Sequence, residues 1–343
     1  MVSRTWTCRR RRIRCGGRSA TPKAPLNETK DRDVTETPTT IELICFAGAP
    51  NLPIFAAEDL GAFEEGGITV NLSTTPSSVY QAEHLIDGTF QMAGTAFDNI
   101  VAYQEGQGVF KPAVPPDLFV FMGATQVQLA LITAPEVKSY ADLKGRKLAL
   151  DALATGFAFV LYEMLGRAGL EPVDYEMVAV GATIKRWESV RDGETAGTLV
   201  LQPFTSIAQA QGFNVLGTST DLFESYQGGT FAASRAWATD NADAVKGFIK
   251  GYLKGLDWTL DPANRIEAGE LLLAKMPILK PGVVDAVMDS LLDPKSGLTP
   301  RAEILPDGMK TVLDLRSKYG AGAPLSDAER YFDLGTYHQV VGS

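Results

Sequence analysis

From Ile41 onward the chain alternates short apolar runs with longer amphipathic ones, and most apolar runs end in a small, polar loop. "IELICF" is a β-branched run of strand length. "FAAEDLGAFEEGG" carries apolar residues at helical spacing and stops at Gly66-Gly67, and "ITVNLS" alternates as a half-buried strand does. Residues 77–87 read as a helix, "FQMAGT" as a strand and "AFDNIVAYQEG" as a helix; "DLFVFMGATQ" and "VQLALIT" follow as strands. "SYADL" is a helical turn, "GRKLALD" a strand, and residues 155–168 a helix with an apolar stripe. The alternation continues with "YEMVAVG", "AGTLVLQP" and "FNVLG" as strands and "IKRWESVRDG" and "FTSIAQAQG" as helices. Beyond "GGTFAASRAWATDN" the pattern turns helical, over 242–260, 264–276, 281–292, 306–319 and 326–332. Such alternation predicts an α/β fold with parallel pairing and right-handed crossovers. Ligands then sit at the carboxyl ends of strands, where helix N-termini offer free backbone N–H groups.

Composition narrows the function classes. The 343 residues, 45% of them hydrophobic, suffice for two lobes with buried cores. Charge is unevenly spread: residues 1–35 carry a net +7 and the remainder −16. An acidic body repels polyphosphate, so no nucleic-acid partner is expected. The cysteines, Cys8, Cys15 and Cys45, have no zinc-site spacing, and the two histidines, His84 and His338, are far apart. No metal and no cofactor are expected. No run approaches the ~18 apolar residues of a membrane helix. The N-terminus has a basic "CRRRRIRC" without an apolar segment after it, so no intact signal peptide is read there. Residues 1–38 are expected to be a disordered basic extension, read as an upstream extension from a misplaced start, a transit-like segment or a basic arm.

The ordered set "LPIFAAEDLGAFEEGGITV", "LIDGTFQMAGTAFDNIVAYQEG", "SYADLKGRKLALD", "VAVGATIKRWESVRDGETAGTLVLQP" and "NADAVKGFIKGYLKGLDWTLDPANR" resembles the SsuA/THI5-like (NMT1-like) substrate-binding proteins of ABC importers. The resemblance implies a two-lobed, type II periplasmic-binding-protein fold, each lobe a mixed, mostly parallel sheet flanked by helices, with the ligand between lobes. Residues 39–128 and 230–343 would build one lobe and 129–229 the other, with hinges at 126–128 and 227–230. It also implies a receptor for a small organic ligand, a partner permease in the membrane, a monomer, and a periplasmic or cell-envelope address. The enzymatic alternative is a THI5-like pyrimidine-precursor synthase. That group is understood to spend a histidine and to use a pyridoxal-type cofactor held by a lysine, with a Cys-rich motif; this chain has no Cys-rich cluster after Thr39. A ligand-sensing regulator would need a helix-turn-helix for which residues 1–38 are too short.

The candidate ligand residues lie where the strand-end rule puts them. Asn51 follows "FAGAP" and is either a cleft amide or a turn residue. Ser77 and Ser78 stand where a helix cap and a ligand contact can share one loop. Thr95, Phe97 and Asp98 follow the third strand; a carboxylate there favours a cationic group or simply suits the helix dipole. Thr155 and Gly156 open a helix and form a natural anion or carbonyl site, and in the resembled family this loop holds an acidic head group. Gln202 sits at a position that faces the ligand in similar proteins, Phe204 and Phe231 are candidate apolar walls, and Gln126 is a hinge candidate. Arg186 and Trp187 read as helix packing and surface. With no Arg or Lys in the predicted cleft loops, a strongly anionic ligand is disfavoured.

Overall fold

The apolar runs become strands that sort into two five-stranded sheets. The structure, a computed structural model, describes residues 38–342, so the expectation for the basic N-terminal segment falls on residues outside the described range. The first lobe opens with β1 (Thr39–Cys45), α1 (Leu52–Asp59), α2 (Ala62–Glu65), β2 (Ile68–Thr74), α3 (Ser78–Ile86), β3 (Met92–Ala96), α4 (Phe97–Gln104) and β4 (Leu118–Thr125). The chain then crosses to β5 (Ala130–Thr133), β6 (Lys147–Leu150), α5 (Gly156–Arg167), β7 (Glu176–Ala179), α6 (Thr183–Arg191), β8 (Gly197–Val200), α7 (Phe204–Ala210) and β9 (Asn214–Thr218). It returns as β10 (Gly229–Ser234) and continues through α8 (Arg235–Asp240), α9 (Ala242–Leu260), α10 (Arg265–Lys275), α11 (Pro281–Leu291), α12 (Pro306–Tyr319) and α13 (Gly335–Val341).

The sheets have equivalent orders, β2-β1-β3-β10-β4 and β7-β6-β8-β5-β9. In each, four strands share a direction and one, β10 or β5, runs against both neighbours. Both reversed strands come first after a crossing between lobes. A chain arriving at the cleft edge has to run away from it, whereas the other strands run toward it. Strand–helix alternation implies parallel pairing and therefore shows neither reversal.

The two crossings lie side by side. The Tyr226 backbone N–H donates to Gln126 Oε1 at 3.4 Å, and a Cβ on Gly228 would stand 2.3 Å from the Gln126 carbonyl oxygen. Val127, at φ +60°, sits where a β-branched residue goes only under constraint, and its N–H donates to Thr125 Oγ1 at 3.0 Å.

Packing in the first lobe rests on α9. Gly247, Gly251 and Gly255 recur every fourth residue, and a Cβ on Gly255 would lie 2.2 Å from the Pro53 carbonyl oxygen. That close approach to α1 and α2 seats Tyr252 and Phe248 against Phe231 of β10, with ring centroids 4.7 Å and 5.0 Å away. Two expectations change in detail. The single helix expected after Phe55 breaks at Gly61, whose left-handed φ of +64° ends α1. The helix expected over 326–332 is only a short 3-10 turn, Glu329–Tyr331.

Candidate functional site

The carboxyl ends of β1, β3, β4, β6 and β8, the start of β10, and the N-termini of α5 and α6 surround a cavity of about 100 Å³ between the sheets. The lobes are closed around it. Backbone N–H groups donate across the gap from Ala49 to the Gln202 carbonyl and from Ala182 to the Pro76 carbonyl, each at 3.0 Å. The Ser78 N–H reaches Asp151 Oδ2 at 2.9 Å. A Cβ on Gly156 would stand 2.5 Å from Asp98 Cβ, so α5 of one lobe presses on α4 of the other.

Five of the expected site residues line this cavity: Asn51, Thr95, Thr155, Gly156 and Phe231, with Ser78 beside them. Asn51 donates to the Phe46 carbonyl at 2.8 Å, which folds the loop after β1 back on itself. Thr95 Oγ1 accepts from Asn99 Nδ2 at 3.0 Å, one helical turn on. Thr155 caps α5, accepting from the Ala158 N–H at 3.4 Å. Phe231 and Tyr252 supply an aromatic floor.

The other expected residues lie outside the lining. Ser77 caps α3, accepting from the Tyr80 N–H at 3.1 Å. Phe97 is fully buried and packs edge-on against Tyr331. Asp98 is taken by Arg316: Nε and Nη2 donate to its two carboxylate oxygens at 2.6 Å each, both side chains being 1% exposed. A carboxylate so occupied is not offered to a ligand. Gln126 serves the crossing, and Gln202 Oε1 accepts from Ser206 Oγ at 3.0 Å, leaving only its backbone carbonyl at the interlobe contact. Phe204 packs with Trp187 in the core of the second lobe. His84 stands on α3 with Nδ1 3.0 Å from Asp87, and it too lies outside the cavity lining.

Arg186 is the principal correction. It is 2% exposed and lines the cavity, where helix packing and surface rather than pocket was expected. Its guanidinium donates to the Leu199 carbonyl at 2.7 Å and to Thr183 Oγ1 at 3.0 Å, while Nε has no partner. Burial, only partly offset by nearby Asp151, lowers its pKa to about 10. Asp151, just past β6, also lines the cavity. Its Oδ2 receives the Ser78 N–H, whereas Oδ1 has no partner. The Tyr252 hydroxyl, on the opposite lobe, is unpartnered as well. The sequence carries a signal for Arg186. Thr183, Arg186, Trp187 and Val190 form one helical stripe, and a charge inside such a stripe is buried. Asp151 obeys the strand-end rule that points to Thr155.

A family model described as NMT1/THI5 like matches residues 50–265. The periplasmic nitrate-binding protein NrtA from Synechocystis PCC 6803 superposes with a TM-score of 0.74 at 14% identity, over 89% of this chain and 89% of its own. The alkanesulfonate-binding protein SsuA from Xanthomonas axonopodis pv. citri, bound to MOPS, gives 0.66 at 17% identity, over 83% and 94%. A DszB mutant in complex with biphenyl-2-sulfinic acid gives 0.59 at 10% identity, over 88% and 99%. No curated protein matches the chain by sequence. At these identities the likeness to solved structures establishes the fold, the two-lobed periplasmic-binding-protein architecture.

Proposed function

Because the chain belongs to the NMT1/THI5-like family, we propose that it is the solute-binding receptor of an ABC-type importer, capturing a small organic molecule between its lobes. The observation that carries this reading is a cavity built from both lobes, three of whose lining residues, Asp151, Arg186 and Tyr252, each carry a buried polar atom with no protein partner. Buried polar groups in folded proteins are paired, and a set of unpaired ones around one space is a site for a guest.

The capture sequence follows from which lobe owns which group. With the lobes apart, Asn51, Thr95 and the aromatic floor of the first lobe receive the solute. Rotation about the paired crossings then brings up Thr155, Asp151 and Arg186, and the interlobe hydrogen bonds close the cage. The presence of Arg186 removes the ground for disfavouring anionic groups; the named solutes of NrtA and SsuA are nitrate and an alkanesulfonate. The closed form would dock, as a monomer, on a membrane permease at the cell envelope.

Catalytic chemistry is poorly served here. Burial pushes the Cys45 thiol up to about 12, far from a thiolate nucleophile, although a hydrogen bond with the Gly94 backbone works the other way. A thermal-shift screen of the full chain against sulfonates, carboxylates, amines, amino acids and pyrimidines tests the receptor reading. A solute at 100 times its dissociation constant adds about 2.7 kcal/mol and should be recovered chemically unchanged. Consumption of the solute would replace the receptor with an enzyme.

A further inference from the structure

Two opposite charges line the same cavity without meeting each other. Arg186 has two of its nitrogens committed to Leu199 and Thr183, and its Nε is unpartnered. Asp151 has one oxygen committed to Ser78, and its Oδ1 is unpartnered. Both atoms are shut off from solvent, where a polar group without a partner is destabilising. Both belong to the second lobe: Asp151 follows β6, and Arg186, on α6, is tied to the Leu199 carbonyl of the neighbouring strand β8, so one small molecule can serve both. Their charges sum to zero, and among the described residues no other ionisable side chain except the shielded Tyr252 phenol lines the cavity. A single water needs about 10–15 Å³, so this cavity of about 100 Å³ has room for a small organic molecule.

Each simpler guest leaves one demand unmet. A bare anion satisfies Arg186 and sets negative charge near Asp151 Oδ1. A bare amine does the reverse. Resting on the receptor reading above, we infer that the solute is a small molecule of zero net charge that presents an acceptor to Arg186 and an N–H donor to Asp151. A zwitterion does this with two charge-assisted hydrogen bonds, the stronger kind; a primary amide offers the same pair of groups uncharged.

Isothermal titration calorimetry on the full chain, with β-alanine, propionate, propylamine and propionamide, tests the inference. β-Alanine is expected to bind on the order of tenfold tighter than propionate or propylamine. Propionamide equal to or better than β-alanine would assign the donor–acceptor pair to a neutral solute and sustain the inference. Asp151→Asn keeps an oxygen for the Ser78 N–H and removes the charge. It should lower the affinity ratio of β-alanine to propionate by about tenfold, with circular dichroism confirming the fold. Propionate binding tighter than β-alanine to the wild type, or a ratio that Asp151→Asn leaves alone, overturns the inference. So does a wild type that ignores all four probes while the broad screen finds a solute of net charge, in which case the receptor reading survives. Silence in both experiments removes both.

Discussion

Asp98 with Arg316 and Asp151 with Arg186 are the same residue types in one molecule, and they do opposite things. The first pair joins α4 to α12 in a two-pronged contact. Arg316 spends its remaining donors on Gln107 Oε1 at 3.0 Å and on the Ala154 carbonyl of the other lobe at 3.2 Å, and its guanidinium lies 5.0 Å from the Phe159 ring centroid. Neither residue lines the cavity. The second pair is divided by the cavity chemistry, and each member keeps one buried atom unsatisfied. A buried charge whose hydrogen bonds are complete is structure; on the proposed receptor reading, one whose hydrogen bonds are incomplete beside the cavity is a binding group.

The contrast can be broken most forcefully at Arg316. Arg316→Met strands the Asp98 carboxylate in the core and should cost about 3–5 kcal/mol, read as a lowered urea midpoint. Gly156→Ala comes next. Its new Cβ would meet Asp98 Cβ at 2.5 Å, and Asp98 is held too firmly to yield. Overpacking should cost about 1–3 kcal/mol, and by forcing α5 back it should weaken solute affinity, which Asp98 itself does not contact.

Acid probes a charged contact that does join the lobes, Glu163 of α5 with Lys318 of α12. Burial alone would raise the Glu163 carboxyl, but hydrogen bonds from Lys318, Arg167 and Tyr319 outweigh it and hold it at about 2, below its ordinary 4.5. A depressed folded-state value means that this stabilisation is complete above pH 4.5 and is lost as pH falls toward 2. The melting midpoint should fall across that window, and Glu163→Gln should flatten the slope. Smallest is the effect expected at the unsatisfied pair. Arg186→Met removes a charge that the protein alone does not fully pair, so stability should stay within about 1 kcal/mol of wild type while solute binding is lost. A loss as large as that of Arg316→Met would erase the distinction between the pairs.

Hydrophobic periodicity determined the element types through the first two-thirds of the chain and the α/β class, because burial of one face acts locally and leaves a period in the sequence. The strand-end rule likewise located Asn51, Thr95, Thr155 and Gly156, since in this fold the ends of parallel strands face the cleft. The reversed strands β5 and β10 were not legible. Their direction depends on the side from which the chain enters a sheet, not on their own residues. The roles of Asp98 and Arg186 were not legible from local pattern for a related reason. Asp98 sits at a strand end as a ligand group would, and its partner Arg316 lies 218 residues away. Arg186 stands on a helix stripe that faces its own lobe, and only the approach of the first lobe encloses the cavity that it and Thr183 line. The sequence alone determined which residues are polar and at which strand ends they stand. Which of those polar groups find partners was decided by tertiary structure, because hydrogen bonding of a buried charge depends on atoms brought within about 3 Å from distant parts of the chain.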